Sequence, residues 1–437
     1  MEGMQPVTVG LVGLGNVGLG TLTILAETPE QINQKLGFPL EVGGICSPTV
    51  MQKTLPPSME RVFKTTDWHE LLARPDIDVV AELIGGTGVA FDLVKDAIKA
   101  GKSVVTANKE LMALKGAELW EMAAKAGVNL VMEASVAGGI PIHTVLREGI
   151  SGDRINTLFG ILNGTSNYIL TEIEKHGSAF HDVLKEAQRL GYAEADPTAD
   201  VDGFDARSKL AILAALAFGS RITPADIYTE GIRRVSPLDF DYAHTLKHTI
   251  RLICSARQTE NGLTLSVRPA LIPQETIMAG VTGAYNAIWV RGQYGQDTFY
   301  YGRGAGPHPT GVAVVSDLMR VAREIRFGSA LRVSPFAHAR LNTIQPAPIE
   351  KLKSAYYLRF RVKDRPGIIA TLAGVLAEQG ISIDAVLQLP NEPKDNLPFV
   401  ITVEPAEEGA MRAAVTRMNA LDFIVEPALA LPMERGL

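Results

Sequence analysis

Five carboxylates crowd the stretch Gly191–Lys209, GYAEADPTADVDGFDARSK: Glu194, Asp196, Asp200, Asp202 and Asp205, followed by Arg207 and Lys209. Acids this close repel one another unless something cationic sits among them. The run that follows, LAILAALAFG, is too apolar for a surface segment. The stretch therefore reads as a loop, broken by Pro197 and Gly203, that leads into a buried helix. Acids at the mouth of a buried helix are costly and call for a reason. Asp205 and Lys209 stand four residues apart, so on a helix they share a face and can touch. A carboxylate beside an ammonium can orient a proton donor. A helix cap with an ordinary surface ion pair accounts for the same residues without any chemistry, and the choice between the two rests on the rest of the chain.

A second constellation lies at the start. VTVGLV, residues 7–12, reads as a buried parallel strand; Gly13-Leu-Gly15-Asn16-Val17-Gly18 follows and opens the helical segment LGTLTILAE. This is the G-x-G-x-x-G pattern in its required setting between strand and helix. Gly13 permits the tight turn, Gly15 lets backbone approach a pyrophosphate, and Gly18 lets helix pack on strand. The helix N-terminus offers free N–H groups to phosphate. The second strand, residues 40–47, ends in Cys46-Ser47-Pro48-Thr49 with no acid, and Lys53 lies just beyond. The acid that bonds a ribose 2′-hydroxyl is missing, which tilts the reading toward NADP and leaves NAD open. Lys109, in Thr106-Ala-Asn108-Lys109-Glu110, directly follows the strand SVVTAN, at the sheet edge where such folds bind ligands. Its alternative is a solvated lysine at a helix start. Glu133 precedes the glycine-rich turn Val136-Ala-Gly138-Gly139-Ile140, expected to close a strand over 129–142. A carboxylate with exposed carbonyls suits a hard cation; a plain tight turn explains it equally well. His244 and His248 are spaced i, i+4 but lack an H-E-x-x-H context, so the helix expected to carry them reads as packing.

At 437 residues the chain has room for two or three domains. A net charge of −6 without any Lys/Arg block argues against nucleic acid. No apolar run reaches the roughly 18 residues of a membrane span. Two cysteines, Cys46 and Cys254, make no disulfide framework, and no cleavable leader precedes the first strand. Together these point to the cytoplasm. The pattern predicts an α/β Rossmann-type nucleotide-binding domain over 1–145, completed by a helix entering through Gly302–Thr310 and running to about 330. An α+β substrate and dimerisation domain follows over 146–305, with strand-like segments at 230–237, 263–272 and 285–302. Cys254 is expected in an apolar helix. A proline-bearing linker spans 331–353. Residues 354–437 show the βαββαβ order of a ferredoxin-like unit.

The stretches GLVGLGNVG, TANKELMA, EASVAGGIPI, GILNGTSNYIL, GYAEADPTADVDGFDARSKLAIL, GRGAGPHPT and KDRPGIIATLAGVLAEQGISI together resemble bacterial homoserine dehydrogenase, in the longer form that ends in an ACT domain. The likeness covers nearly the whole chain, and the fourth and fifth stretches are the most specific. It implies NAD(P)-dependent interconversion of L-aspartate 4-semialdehyde and L-homoserine. By motif position, Lys209 resembles the general acid/base and Lys109 the second lysine close to substrate and nicotinamide. Glu194, Asp200 and Asp205 resemble the substrate-binding acids, with Asp205 orienting Lys209. Gly13, Gly15, Asn16, Val17, Gly18, Thr106, Lys109 and Gly306 correspond to cofactor-binding positions. Glu133 with the carbonyls of Val136, Gly138 and Ile140 resembles a monovalent cation site, sodium being the expected ion. The ACT-like unit implies feedback inhibition by L-threonine at Asp364, Pro366, Gly367 and Ile368, and a homodimer or homotetramer. Two rivals fit less well. Aspartate-semialdehyde dehydrogenase needs a nucleophilic cysteine, for which neither Cys46 nor Cys254 is suited. A non-catalytic amino-acid sensor would not need both Asp205 and Lys209.

Overall fold

The computed structural model describes residues 4–328, 337–338, 340–343, 346–389, 393–434 and 436. They divide into two compact units, Met1–Leu158 with Ser208–Ala225 and Asn286–Ile344, and Phe159–Arg207 with Asp226–Tyr285 and Gln345–Leu437. The linker expected over 331–353 lies partly outside the described residues.

In the first unit, strands β1 (Val7–Val12), β2 (Leu40–Cys46), β3 (Phe63–Thr65), β4 (Val79–Glu82), β5 (Ser103–Thr106) and β6 (Leu130–Val131) form a sheet in the order β3-β2-β1-β4-β5-β6. Every described pairing is parallel. Strands such as VVAE and SVVT are buried along their whole length, as a sheet covered on both faces requires. The order reverses between β1 and β4, the switch point at which doubly wound sheets bind dinucleotides. Helix Pro307–Phe327 packs on helix Asn16–Glu27, and two glycines permit the approach. A Cβ on Gly20 would strike the carbonyl of Pro307, and one on Gly311 would lie 3.1 Å from the backbone of Gly20. Val314 and Leu318 thereby join Val9, Leu11 and Leu22 in one core.

In the second unit, strands His248–Thr259 and Gly262–Pro273 pair antiparallel along their full length. The sheet continues from Gly262–Pro273 through Ile424–Met433, Lys353–Val362 and Leu397–Glu407 to Ile383–Leu387. The last four strands, with helices Ile368–Glu378 and Glu408–Asn419, build the ferredoxin-like unit in the expected order. The join between the two halves is narrow, a single parallel pair at Leu271 and Met433 extended by Glu434 N donating to the Leu271 carbonyl at 2.8 Å. Side chains reinforce it. Asp239, fully buried near the start of helix Pro237–Thr245, accepts from Ser236 N and Oγ at 2.8 Å, from Tyr357 Oη at 2.9 Å and from Arg359 Nη1 at 2.6 Å. Tyr242 of the same helix donates to the Pro398 carbonyl.

Four local expectations are corrected. His244 ends a helix while His248 opens a strand, because Lys247 turns the chain with φ 59°; the two share no helical face. Cys254 lies in strand His248–Thr259, whose both-faces burial mimics an apolar helix. No strand forms within 230–237, where the two-residue strand Tyr228–Thr229 ends just before, and the strand predicted at 129–142 is confined to Leu130–Val131, after which the backbone coils through Glu133–Ser135.

Removing one member of a buried pair strands the other charge, a loss on the order of 3–5 kcal/mol. Asp239→Ala is expected to lower the denaturation midpoint accordingly. Asp239→Leu combined with Arg359→Met should regain most of the loss; a silent Asp239→Ala would show that the pair does not hold helix Pro237–Thr245 to this sheet.

Candidate active site

At the carboxyl edge of the parallel sheet the three glycines of the first turn have distinct surroundings. Gly13 has φ 109°, and a Cβ there would meet the Leu83 carbonyl. Gly18 lies against the Gly13 carbonyl, leaving no room for a side chain, whereas nothing stands within 4 Å of a Cβ on Gly15. A tight turn, a closely packed helix start and an open backbone face are what a pyrophosphate needs. Asn16 and Val17 begin the helix that Gly15 caps. At the end of β2, Ser47 is buried and its hydroxyl faces Thr49 N and Oγ1 at 3.3 Å, while Cys46, buried beside it, has its thiol pushed up to about 11. Burial is the main cause, with the Asp67 and Glu70 charges adding to it.

The loops after β4 and β5 are tied together by a residue that the motifs did not single out. Glu82, fully buried, accepts from Ile84 N and Gly85 N through Oε1 and from Thr106 Oγ1 through Oε2. Thr106 Oγ1 in turn accepts from Asn108 N, and Asn108 Nδ2 donates to the Gly86 carbonyl at 2.6 Å. Asn108 Oδ1 caps the helix at Leu111 N, so Lys109 is held as its half-buried first residue. An acid closing the otherwise apolar VVAE was the available signal for Glu82.

Glu133 is buried and fully engaged. Its Oε1 accepts from His143 N at 2.9 Å, its Oε2 from Thr144 N and Oγ1, and its own N–H donates to Asp317 Oδ2 at 2.7 Å. Burial, and then the Glu133 charge, push Asp317 up to about 8, so it keeps its proton at neutral pH. Burial pushes His143 down to about 4, leaving it neutral. The turn that follows is unusual. Ala137 and Gly138 are both left-handed, with φ 59° and 46°, a conformation that a non-glycine residue adopts at a cost. The turn is pressed against the glycine-rich entry to helix Pro307–Phe327. Gly139 N donates to the Arg303 carbonyl, a Cβ on Gly138 would strike Gly304, and Gly306 takes φ 127°. The Ile140 carbonyl accepts from Ile142 N at 2.8 Å. One carboxylate among carbonyls is the donor set of a hard cation of low charge, while here both Glu133 oxygens and the Ile140 carbonyl already accept hydrogen bonds.

In the second unit the five acids of the loop take different places. Asp196 accepts from Thr198 N, Asp202 pairs with Arg233 at 2.6 Å, and Glu194 is exposed. Asp200 and Asp205 are drawn together by Asn163, whose Nδ2 donates to Asp200 Oδ1 at 2.6 Å and to Asp205 Oδ2 at 2.8 Å. Asn163 Oδ1 meanwhile caps helix Gly164–His176 through Ser166 N. Residue types and spacing alone did not single out Asn163 within GILNGTSNYIL. The carboxylate of Glu194 is not among the groups that Asn163 gathers. Helix Phe204–Phe218 carries Asp205 and, one turn on, Lys209, each only 8% exposed. In the ferredoxin-like unit, Asp364, Pro366 and Gly367 form an exposed turn with Gly367 at φ 93°. Ile368, expected to line a site there, is instead a core residue, because it begins the apolar face of helix Ile368–Glu378.

Among the described residues, no helix is long and apolar enough to cross a membrane. Residues 13–133 match the family model described as homoserine dehydrogenase, NAD binding domain, residues 141–319 the homoserine dehydrogenase model, and residues 356–423 the ACT domain model. The homoserine dehydrogenase of Neisseria gonorrhoeae is 42% identical over 434 residues, 99% of each chain. The crystal structure of a homoserine dehydrogenase from Thiobacillus denitrificans superposes with a TM-score of 0.92 at 43% identity, covering 99% of each chain. A hyperthermophilic archaeal homoserine dehydrogenase mutant in complex with NADPH is 25% identical with a TM-score of 0.62, over 72% of this chain and 98% of that one. Identity at this level from end to end, on a sheet with the dinucleotide-binding order, shows that the chain belongs to the homoserine dehydrogenases, NAD(P)-dependent oxidoreductases, in the form that carries an ACT domain.

Proposed function

We propose that this homoserine dehydrogenase uses Lys209 as general acid/base, binds the substrate ammonium through Asp200, Asp205 and Glu194, and prefers NADP. The observation that carries the reading is the Asn163 bridge, which sets two carboxylates side by side one helical turn before a buried lysine. Homoserine bears an ammonium, which needs acids, and a hydroxyl, which must lose a proton as its carbon loses hydride. The bound nicotinamide supplies the hydride chemistry. Reduction of L-aspartate 4-semialdehyde builds negative charge on the carbonyl oxygen, and an ammonium placed there donates a proton to it. Asp205, on the same helix face as Lys209, orients that donor. Lys109 acts as the second lysine, at the cofactor end. Thr106, with its side chain buried against Glu82, contributes backbone.

Further parts of the reading rest on single features. Gly13, Gly15, Asn16, Val17, Gly18 and Gly306 hold the dinucleotide. The absence of an acid at Cys46-Ser47 removes a charge that would repel a 2′-phosphate. Glu133 with the carbonyls of Val136, Gly138 and Ile140 holds a monovalent cation, sodium in the first instance; the strained Ala137 supports this. The domains divide as 1–145 with 306–330, 146–305, 331–353 and 354–437. L-threonine acts as feedback inhibitor at the exposed turn Asp364–Gly367. The edge strand Ile383–Leu387, with Val386 exposed, supports pairing of ACT units in a dimer or tetramer. Cys46 and Cys254, both free and buried, suit the cytoplasm.

Oxidation of L-homoserine, followed at the nicotinamide absorbance with NAD and NADP in parallel, tests the core. Lys209→Ala is expected to lower kcat about 100- to 10,000-fold with cofactor binding intact, and NADP to give the higher kcat/KM. Turnover untouched in Lys209→Ala would move proton transfer elsewhere. Asn163→Asp keeps the helix cap but deletes both donated hydrogen bonds, each worth about 1.5–3 kcal/mol when charge-assisted. Its KM for L-homoserine should rise about tenfold or more, and an unchanged KM would leave Asn163 as a cap only. Asp364→Ala is expected to raise the half-inhibiting threonine concentration about tenfold without altering uninhibited turnover; full sensitivity in the variant would place the effector elsewhere.

A further inference from the structure

Glu82 is the last residue of β4 and Thr106 the last of β5, and the two are partners in register. The strand VVAE is buried along its length, Glu82 included. Packing alone asks for an apolar side chain at such a position, and an acid there costs free energy unless donors meet it. The two oxygens of Glu82 face two different loops. Oε1 accepts from Ile84 N at 2.9 Å and Gly85 N at 3.2 Å, in the turn after β4, while Oε2 accepts from Thr106 Oγ1 at 2.5 Å, at the end of β5.

The turn after β4 stands at the switch point of the sheet. Val12 and Glu82 are register partners, Leu83 N donates to the Val12 carbonyl at 2.8 Å, and a Cβ on Gly13 would lie 2.5 Å from the Leu83 carbonyl. This turn is therefore seated against the glycine turn. Gly85 and Gly86 follow with φ 76° and 70°, both exposed, and nothing stands within 4 Å of a Cβ on either. Left-handed backbone with an open face presents peptide groups to whatever lies over the carboxyl edge of the sheet. The other branch runs to Lys109. Thr106 Oγ1 accepts from Asn108 N at 3.0 Å, and Asn108 Nδ2 donates back to the Gly86 carbonyl at 2.6 Å while its Oδ1 caps helix Lys109–Ala126. Glu82, Thr106, Asn108 and the turn Ile84–Gly86 thus close a ring of hydrogen bonds, and neither loop can shift without the other.

We infer, on the reading of the glycine turn and Lys109 proposed above, that Glu82 is a positioning residue for hydride transfer: through this ring it fixes the turn Ile84–Gly86 and Lys109 at one separation, and so holds the nicotinamide end of the cofactor in register with the reacting carbon. Hydride transfer needs such placement, since a shift of about 1 Å can cost about 100-fold in rate. The pyrophosphate is held at the glycine turn, outside the ring, so loosening the ring separates rate from affinity.

The test compares Glu82→Leu, which removes the hub of the ring, with Glu82→Gln, whose amide oxygen still accepts from Ile84 N and Gly85 N and whose amide nitrogen donates to Thr106 Oγ1. Thr106→Val, which leaves Glu82 bonded to the turn after β4, guards against misfolding in Glu82→Leu. Glu82→Leu and Thr106→Val are each expected to lower kcat for L-homoserine oxidation about 10- to 100-fold, with NADPH affinity, read by fluorescence titration, close to wild type. The isotope effect with homoserine deuterated at the hydroxyl-bearing carbon should rise, because hydride transfer then limits turnover in place of later steps. Glu82→Gln should recover most of the rate. A lowered denaturation midpoint with wild-type kcat and isotope effect in Glu82→Leu and Thr106→Val would leave Glu82 a structural acid and overturn the positioning role, as would a loss of rate that Glu82→Gln fails to repair. Gly15→Leu tests the nucleotide reading separately: open space admits the side chain, which should block NADPH binding without moving the midpoint. NADPH bound as tightly in Gly15→Leu would take the nucleotide away from this edge, and the positioning role with it. NADPH binding lost there, with wild-type rates in the Glu82 and Thr106 variants, would sink the positioning role alone.

Discussion

Two carboxylates held beside each other repel, and one of them, Asp205, is buried and loses its hydration. The acidic cluster at the start of helix Phe204–Phe218 depends on how that cost is met. Asn163 meets it with one amide group, giving one N–H to Asp200 and the other to Asp205, while its oxygen ends the backbone of the next helix. The bridge fixes the spacing of the acids without neutralising them, which an arginine in the same place would do. A cluster left negative in this way can still attract a cation. It also ties loop, helix start and strand end into one rigid object before any ligand arrives.

The same problem recurs at the join between the middle sheet and the ACT unit, with a different solution. Asp239 and Glu408 are buried acids, and each is met by arginine and tyrosine from neighbouring strands. The backbone join there is a single bridge at Leu271 and Met433. Side-chain ion pairs therefore hold the two halves in register, and because such pairs are geometrically demanding they specify one arrangement rather than a family of them. At Glu408 one carboxylate meets Arg268, Arg412 and Tyr356, with Glu350 beside Arg412.

At the nucleotide end the governing constraint is steric. Gly13, Gly18, Gly20 and Gly311 each stand where a Cβ would meet backbone. The helices can then approach closely enough to close the core around β1 and to leave Gly15 open. Glu82 does for the loops after β4 and β5 what Asn163 does for the acids, holding two loops from beneath with one fully buried side chain.

Patterns that are local in sequence were legible without coordinates. The strand–glycine–helix start, the βαββαβ order and the i, i+4 spacing of Asp205 and Lys209 depend on neighbours within a few residues, and the structure has all three. Periodicity failed where burial on both faces removes it: strand His248–Thr259 reads as an apolar helix because no polar face marks its pleat. Partners distant along the chain were beyond its reach. That Asn163 chooses Asp200 and Asp205 from five acids, and that Arg268 comes to Glu408 from 140 residues away, is decided by strand pairing and helix placement. The sequence determined which chemistry the chain carries, because residue types and local spacing are written in it. Only the tertiary structure decided which charges face one another, because that depends on contacts between segments tens to hundreds of residues apart.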